Sequence, residues 1–332
     1  MSDGVIKHFK KHQALVRTLD QMILALVRYW CFLRHRRTCL FAAQFAAKRL
    51  DPATPVSEVD KYLWRKIFDH NPLFTTACDK LAAKEYALSV CQELKTAEVI
   101  WVGTDPDQIP LEVLSGNVVI KANCGYEWNV FVRDGKVDRE MVRDKARSWL
   151  KRPFGEELGE WGYKNARRCL FVEKMLLEGD QPIRQEYKFY VSGGRTAYVF
   201  VTRRNGNDAR TTCRLMRDGQ FASEQDERAS TQGGISLPPT FERLVAIAEC
   251  LALPFDYMRC DLYELGGAIF FSELTPYPQS GRGSTNRRCS ELLNSRWDLR
   301  KSWFLTKSHR GWRKVYSVAL RRWLDGNCLT HN

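Results

Sequence analysis

The chain has only six histidines in 332 residues, and they are scattered. Its eleven cysteines include no Cys-x-x-Cys pair, so no zinc-binding pattern is present. There is no Gly-x-Ser-x-Gly elbow, which argues against a serine nucleophile, and the few histidines offer no base to activate one. A Gly-x-x-x-x-Gly-Lys-Ser/Thr loop and a Gly-x-Gly-x-x-Gly fingerprint are both missing, so neither common phosphate-cradling motif applies. No apolar run is long enough to span a bilayer. The most apolar stretch, Met22 to Leu33, is interrupted by Arg28 and closed by Arg34-His35-Arg36-Arg37. That run follows a long basic stretch and lacks a small-residue cleavage site, so no signal peptide is expected.

What is present is a strong excess of positive charge, +13 at neutral pH. It favours an anionic partner: a nucleotide, a nucleic acid, an acidic glycan or an anionic membrane face. The length suits two or three small domains around a shared core. An odd number of dispersed cysteines fits reduced thiols in a cytoplasmic setting.

Along the chain, residues 5–50 read as one helix ended by Asp51-Pro52. Leu15, Leu19, Met22 and Leu26 form an apolar stripe that Ile23, Val27 and Trp30 widen. Such a basic amphipathic helix either packs on its own protein or lies on an anionic membrane surface. Ser57 to Asp60 predicts a capping box opening a second helix, which stops before Asn71-Pro72. Thr76 to Asp79 predicts another, running to about Leu94, with Lys80 and Lys84 on one face. From Glu98 the pattern turns α/β. Strands are expected at 99–102, 118–121, 130–133 and 169–173, with a hairpin turn at Asp134-Gly135 and a helix over 139–150. Residues 186–191 and 196–203 alternate around Gly193-Gly194 as a second hairpin. Residues 203–210 and 217–236 read as long polar loops, 239–251 as a helix, and the basic Trp-rich tail is helical from 314 to 324. These readings divide the chain into 1–56, a basic helical extension; 57–117, an N-terminal lobe; 118–178, a small lobe; 179–285, a large lobe; and 286–332, the tail.

One stretch organises the rest. Arg259-Cys260-Asp261-Leu262-Tyr263 and Phe270-Phe271-Ser272-Glu273-Leu274-Thr275 are two strands joined by a glycine turn. Arg259 and Asp261 share a strand face. If the loop holds an odd number of residues, such as Gly266 to Ala268, Glu273 falls opposite Asp261, with the backbones about 5 Å apart. Carboxylates that close need a cation between them, and oxygen-only ligands suit Mg²⁺ completed by phosphates. A plain hairpin with surface carboxylates satisfies the pattern equally well. Lys121, ending a strand before the loop 123–129, is placed to hold a polyphosphate. Glu173 ends another strand before the short linker Lys174-Met175-Leu176, which suits a purine. Lys188, on a strand among aromatics, is a candidate phosphate or substrate contact.

The order of these parts resembles the ATP-grasp superfamily, and more closely the TupA-like ATP-grasp family, named for teichuronopeptide biosynthesis. The residues that carry the resemblance are Asp79-Lys80, Ile109-Pro110, Val119 to Asn123, Val172-Glu173-Lys174, Glu186 to Tyr190, Arg259 to Tyr263, and Phe271 to Thr275 with Ser280-Gly281. The resemblance implies an α+β fold of two lobes clasping ATP, with the N-terminal helical extension and the basic helical tail outside it. It implies that Lys121 and Lys80 contact phosphates and that residues 123–129, including Asn123 and Gly125, form the phosphate loop. By the same resemblance Glu173, Lys174 and Met175 hold adenosine, and Asp261 and Glu273 bind Mg²⁺. Arg259, with Lys121 and Lys188, would stabilise the transferring phosphoryl group. Thr275 stands where many superfamily members carry an asparagine metal ligand.

The activity so implied is an ATP-dependent carboxylate–amine ligase working through an acyl phosphate. Its substrates would be small or glycan-linked acids and amines in cell-envelope polysaccharide or polyamino-acid synthesis, with no specific nucleic acid partner. Two alternatives stand beside it: a phosphotransferase acting on a hydroxyl, and a non-catalytic basic protein gripping polyanions through Arg34 to Arg37 and the tail.

Overall fold

The computed structural model describes residues 3–206 and 209–328; the ends of the extension and tail and the middle of the 203–210 loop lie outside the described residues. In chain order come helices α1 (Asp3–Arg34), α2 (Arg36–Ala43), α3 (Glu58–Phe68), α4 (Leu73–Cys78) and α5 (Lys80–Val90). Strands β1 (Lys95–Thr96), β2 (Val99–Gly103), β3 (Val118–Ala122) and β4 (Asn129–Val132) lead to α6 (Arg139–Lys151). Then follow β5 (Leu170–Lys174), β6 (Leu177–Glu178), β7 (Gln181–Pro182), β8 (Gln185–Ser192), β9 (Arg195–Arg204) and β10 (Arg210–Met216). Helices α7 (Glu224–Gly233) and α8 (Phe241–Ala252) precede β11 (Tyr257–Leu265) and β12 (Ala268–Thr275). The chain ends in α9 (Arg287–Arg296), α10 (Trp303–Thr306) and α11 (Gly311–Cys328).

The strands make a six-stranded sheet, order β1-β12-β11-β8-β9-β10, and a four-stranded sheet, order β2-β5-β3-β4. Period-two alternation gives the large sheet two different faces. On one face Tyr187, Phe189, Val191, Val199, Val201, Met258, Cys260 and Leu262 pack under α8 and α5. The other face turns Lys188, Arg259 and Asp261 toward the small sheet, and its far end, at Tyr198 and Tyr257, is roofed by α3, α9 and α11 through Tyr62, Trp64, Trp297 and Tyr316. The small sheet buries Ile120, Val130, Val132 and Val172 against Val142 of α6. The fold is α+β, as the sequence implied.

Several local expectations change. The helix expected over 5–50 is two helices, α1 and α2. The i→i−4 bonds run on through the junction, from the His35 N–H to Cys31 O and the Cys39 N–H to His35 O, so the break is a kink. It turns Thr38, Cys39 and Ala42 inward beside α3. Asp51 does not merely stop a helix. Its carboxylate accepts from the Ala53 and Thr54 N–H groups and pairs with Arg28, fixing the turn into α3. Ser57 and Asp60 form the reciprocal capping box expected. The next cap is Asp79 rather than Thr76, because residues 73–78 already form α4, and its helix ends at Val90. Residues 217–236 are not all loop: Ser223 caps α7 through the Asp226 N–H. Among the described residues no helix is long and apolar enough to cross a membrane.

Candidate active site

The β11–β12 turn is the two-residue Gly266-Gly267, both at positive φ (57° and 81°), with Leu265 opposite Ala268. Counted from such a turn, Ser272 belongs opposite Asp261. It is not there. The register shifts between Asp261 and Leu262, Ser272 bulges out, and Asp261 faces Glu273. The odd residue expected in the loop sits in the strand instead, and both carboxylates reach one face.

Arg259 holds the pair together. Its Nε and Nη2 donate to the two Asp261 oxygens, each at 2.7 Å, and Nη2 also donates to Glu273 Oε1 at 2.6 Å. On β8, opposite Asp261, Lys188 bonds Asp261 Oδ2 at 2.9 Å and pairs with Glu186 at 2.7 Å. The Thr275 hydroxyl donates to Glu273 Oε1 at 3.1 Å. Asp261 is wholly buried, whereas the Glu273 side chain stays 30% exposed to the cleft. Burial pushes the Asp261 carboxyl up to about 6 against the pull of Arg259 and Lys188. Burial would raise Glu273 too, but Arg259, Lys80 and Lys188 outweigh it and hold that carboxyl at about 2. Burial works against the Lys188 ammonium, yet Asp261 and Glu186 raise its pKa above the usual lysine range.

The small sheet carries the second half. Glu173 is buried between two lysines: Lys84 at 2.5 Å and Lys121, which contacts the other carboxylate oxygen. Burial opposes its charge, but Lys121 and Lys84 hold the carboxyl below its usual range. Lys84 also donates to Ala97 O at 2.9 Å. Lys80, in the first turn of α5, donates to Gly125 O at 2.6 Å and so ties α5 to the loop 123–129. Burial lowers the Lys80 ammonium, Glu273 raises it and Lys121 lowers it, so this one side chain feels both halves of the site. Asn123 is fully buried and spans the junction, accepting from the Leu81 N–H and donating to Arg167 O, each at 2.9 Å. Gly125 has φ 129°, and a Cβ there would meet the Trp128 ring at 2.6 Å. At the loop tip Glu127 pairs with Arg210 of β10 at 3.5 Å, a contact that crosses from small lobe to large. In the linker after Glu173 the N–H groups of Lys174 and Met175 already bond Glu98 O and Asn117 O. The Lys174 ammonium pairs with Glu98 on the surface.

Arg65, Lys84 and Glu186 complete the arrangement, and sequence reasoning gave none of them a role. Arg65 of α3 is wholly buried. It pairs with Asp256 at 2.5 Å and donates to Tyr257 O and Pro276 O, at 3.1 and 3.2 Å. Those carbonyls lie at the start of β11 and just past the end of β12, so one guanidinium pins both ends of the β11–β12 hairpin. A signal did exist: an arginine amid Tyr62, Leu63, Trp64, Ile67 and Phe68 has nowhere to go but inward. Beyond Thr275 the chain runs through Gln279 and Ser280 at left-handed φ of 49° and 53°, held by Lys66, which donates to Ser280 O at 2.9 Å. Strain of that kind collects at functional sites.

The donor set fits a nucleotide with a divalent ion. A cationic group already lies between Asp261 and Glu273, the Arg259 guanidinium, which stands in for the charge a metal would bring. Among the described residues no three His, Cys, Asp or Glu side chains converge in metal-ligand geometry. The protein thus offers two carboxylates and the Thr275 hydroxyl, and phosphate oxygens would supply the rest.

No curated protein matches the chain. Solved structures with a similar fold include the ATP-grasp ligase PsnB complexed with minimal precursor: 11% identity, 72% of this chain and 66% of that one, TM-score 0.37. D-alanine–D-alanine ligase from Helicobacter pylori shows 14% identity over 67% of this chain and 58% of that one, TM-score 0.38. The macrocyclase MdnC bound with precursor peptide MdnA from Microcystis aeruginosa shows 12% identity over 64% and 61%, TM-score 0.32. The chain spans less than two thirds of the length of each. The sequence model of the TupA-like ATP-grasp family matches residues 60–296, which takes in most of α3, both sheets and every residue of the site. The chain belongs to the TupA-like ATP-grasp family.

Proposed function

We propose that this chain is an ATP-dependent ligase that joins a carboxylate to an amine. The observation that carries the reading is the convergence of Lys80, Lys121, Lys188 and Arg259 on one cleft, with Asp261 and Glu273 facing each other inside it. ATP supplies the phosphoryl group that converts the acid to an acyl phosphate, with ADP leaving; the amine nitrogen then bonds to the acyl carbon as the C–O bond to phosphate breaks.

The residues divide this work by position. Arg259 and Lys188 neutralise charge on the transferring group, and Lys121 and Lys80 hold the phosphates from the small lobe. Asp261 and Glu273, with Thr275, would hold Mg²⁺. Glu173 keeps Lys121 and Lys84 oriented and takes a hydroxyl of the adenosine. Met175 and the linker would hold the base, through carbonyls rather than the Lys174 and Met175 N–H groups, which are already committed. The 123–129 loop covers the phosphates, with Asn123 and Gly125 setting its start and the Glu127–Arg210 contact closing its tip. Such catalysis is positioning and electrostatics and requires no nucleophilic side chain.

For the acceptor, the space beyond Tyr190 is open. Tyr190 and Tyr198 stack at 4.2 Å on the sheet face, and Glu58, Phe200, Arg214, Ser284 and Thr285 line a pocket beside them. Aromatic walls beside hydroxyls suit a sugar ring, although Arg214 already pairs with Asp226 at 3.3 Å. With the net charge, this supports an acidic, envelope-type glycan or polyamino acid as substrate. The test is ADP release with candidate acids in the presence of hydroxylamine. A hydroxamate is the expected product, and a phosphoester without hydroxamate would refute the ligase reading in favour of phosphotransfer.

A further inference from the structure

The apolar stripe on α1 is not used by the fold. Ile23, Leu24, Val27 and Cys31 pack inward, but Leu15, Leu19, Met22, Leu26, Tyr29 and Leu33 are 49–67% exposed. Their spacing of four, three, four, three and four residues sets them on one line, about 27 Å long at 1.5 Å per residue. α11 lies antiparallel beside α1: Arg322 pairs with Asp20 at 3.2 Å, and Trp312 meets Trp30 at 4.9 Å. Between those contacts α11 exposes Val315 and Val318, and Trp312 itself is half exposed. The two helices make one platform with a greasy surface.

Charge selects the occupant. At the end where α1 gives way to α2 and α11 begins, Arg34, Arg36, Arg37, Arg310, Arg313 and Lys314 are all exposed. None of the six makes an ion pair among the described residues. From residue 12 to 49 the one acidic residue is Asp20, and it is taken by Arg322; the one acid of α11, Asp325, pairs with Arg300. A spacing of four and three also suits a coiled-coil seam with a second copy. That partner would bring the same unpaired cations and no acid to meet them. An apolar stripe with an uncompensated basic end complements a bilayer surface carrying anionic headgroups, where the leucines enter the acyl boundary and the arginines meet phosphates.

We propose that α1 and α11 dock this protein peripherally on an anionic membrane, with the stripe Leu15 to Leu33 as the inserted edge. The geometry lets the helix lie in the interface plane, since the face opposite the stripe already carries the protein. Docking is independent of the ligase reading and needs no nucleotide.

The test is co-sedimentation of the full chain with vesicles of phosphatidylcholine alone or with about one third phosphatidylserine, at low and high salt. Expected is binding at least tenfold tighter to the anionic vesicles, weakening as salt rises. Leu19→Gln with Leu26→Gln should lose at least tenfold. Because both residues are exposed, its thermal unfolding and nucleotide affinity should match the parent. A variant with Arg34, Arg36 and Arg37 changed to Gln should keep the residual neutral-vesicle binding and lose the salt dependence. Equal binding to both vesicle types, no binding, or unchanged binding by the leucine variant would overturn the proposal. So would a dimer in sedimentation without lipid that the leucine variant abolishes, since the stripe would then belong to a second copy.

Discussion

Asp261 and Glu273 face each other across the β11–β12 ladder because Ser272 drops out of it. The tight glycine turn alone would set Asp261 against Ser272, and a one-residue slip sends every later side chain to the other face. Deleting Ser272 should therefore leave Glu273 opposite Asp261, with the bulge gone and the strand flatter. Nucleotide affinity should fall by no more than about tenfold in that variant, whereas adding a glycine after Ser272 should abolish it. Calorimetric titration of both variants with Mg-ATP makes the comparison.

Acid should switch the site off through Asp261. Its carboxyl is raised to about 6, first by burial, so between its ordinary value of 3.8 and 6 the folded chain binds more protons than the unfolded one. The contribution of this group to stability thus falls as pH rises through that window. Glu273, held at about 2 by Arg259, Lys80 and Lys188, has the opposite sign: its contribution is lost as pH falls from about 4.5 to 2. For activity, the charged Asp261 is the form the site needs. The pH profile of kcat/KM for ATP should show an acid limb near 6. A flat profile from 5 to 8 would contradict this assignment.

Removing Arg65 should loosen the hairpin from a distance. The Arg65→Met change leaves Asp256 buried without its cation and strips a donor from Tyr257 O and Pro276 O. Losing one partner of a buried pair costs about 3–5 kcal/mol, to be read from denaturant unfolding. At a temperature where the variant is still folded, kcat should fall more than nucleotide affinity, because Arg65 is wholly buried and bonded only within the protein.

Lys121 and Lys84 share Glu173 but should behave differently. Lys121 is partly exposed to the cleft, while Lys84 is buried and also serves Ala97 O. Lys121→Met should raise KM for ATP about 10- to 100-fold with little change in stability, as expected for a lost charge-assisted contact to phosphate. Lys84→Met should mainly destabilise, by about 1–3 kcal/mol, through the unpaired Ala97 carbonyl and the weakened Glu173 site. Equal effects of the two changes on both quantities would contradict the division.

What the sequence shows and hides follows from the range of the forces involved. The capping box at Ser57 and Asp60, the strand carrying Lys121 (it runs one residue further, to Ala122) and the Arg259–Asp261 spacing are local patterns, and they appear where expected. The bulge at Ser272 is invisible because it depends on what pairs across the sheet. Helix α7 was hidden because its sequence, Glu224 to Gly233, is polar nearly all round; Asp226 and Ser230 are its buried residues, so it has no apolar stripe. On α1 the periodicity marks an amphipathic helix but does not tell which apolar residues the protein covers. Ile23, Leu24 and Val27 are covered, and Leu19, Met22 and Leu26 are not. The apolar neighbours of Arg65 signal its burial, but its role in pinning the hairpin is legible only once Asp256, nearly two hundred residues away, is beside it.

The most direct measurement is ATP binding by isothermal titration, with and without Mg²⁺, on the parent chain and on Asp261→Asn and Glu273→Gln. The parent should bind ATP only with Mg²⁺ present. Both variants should lose most of that metal dependence and, in a parallel assay, about a hundredfold or more in turnover. Binding that ignores Mg²⁺, or variants that bind and turn over like the parent, would contradict this reading of the site.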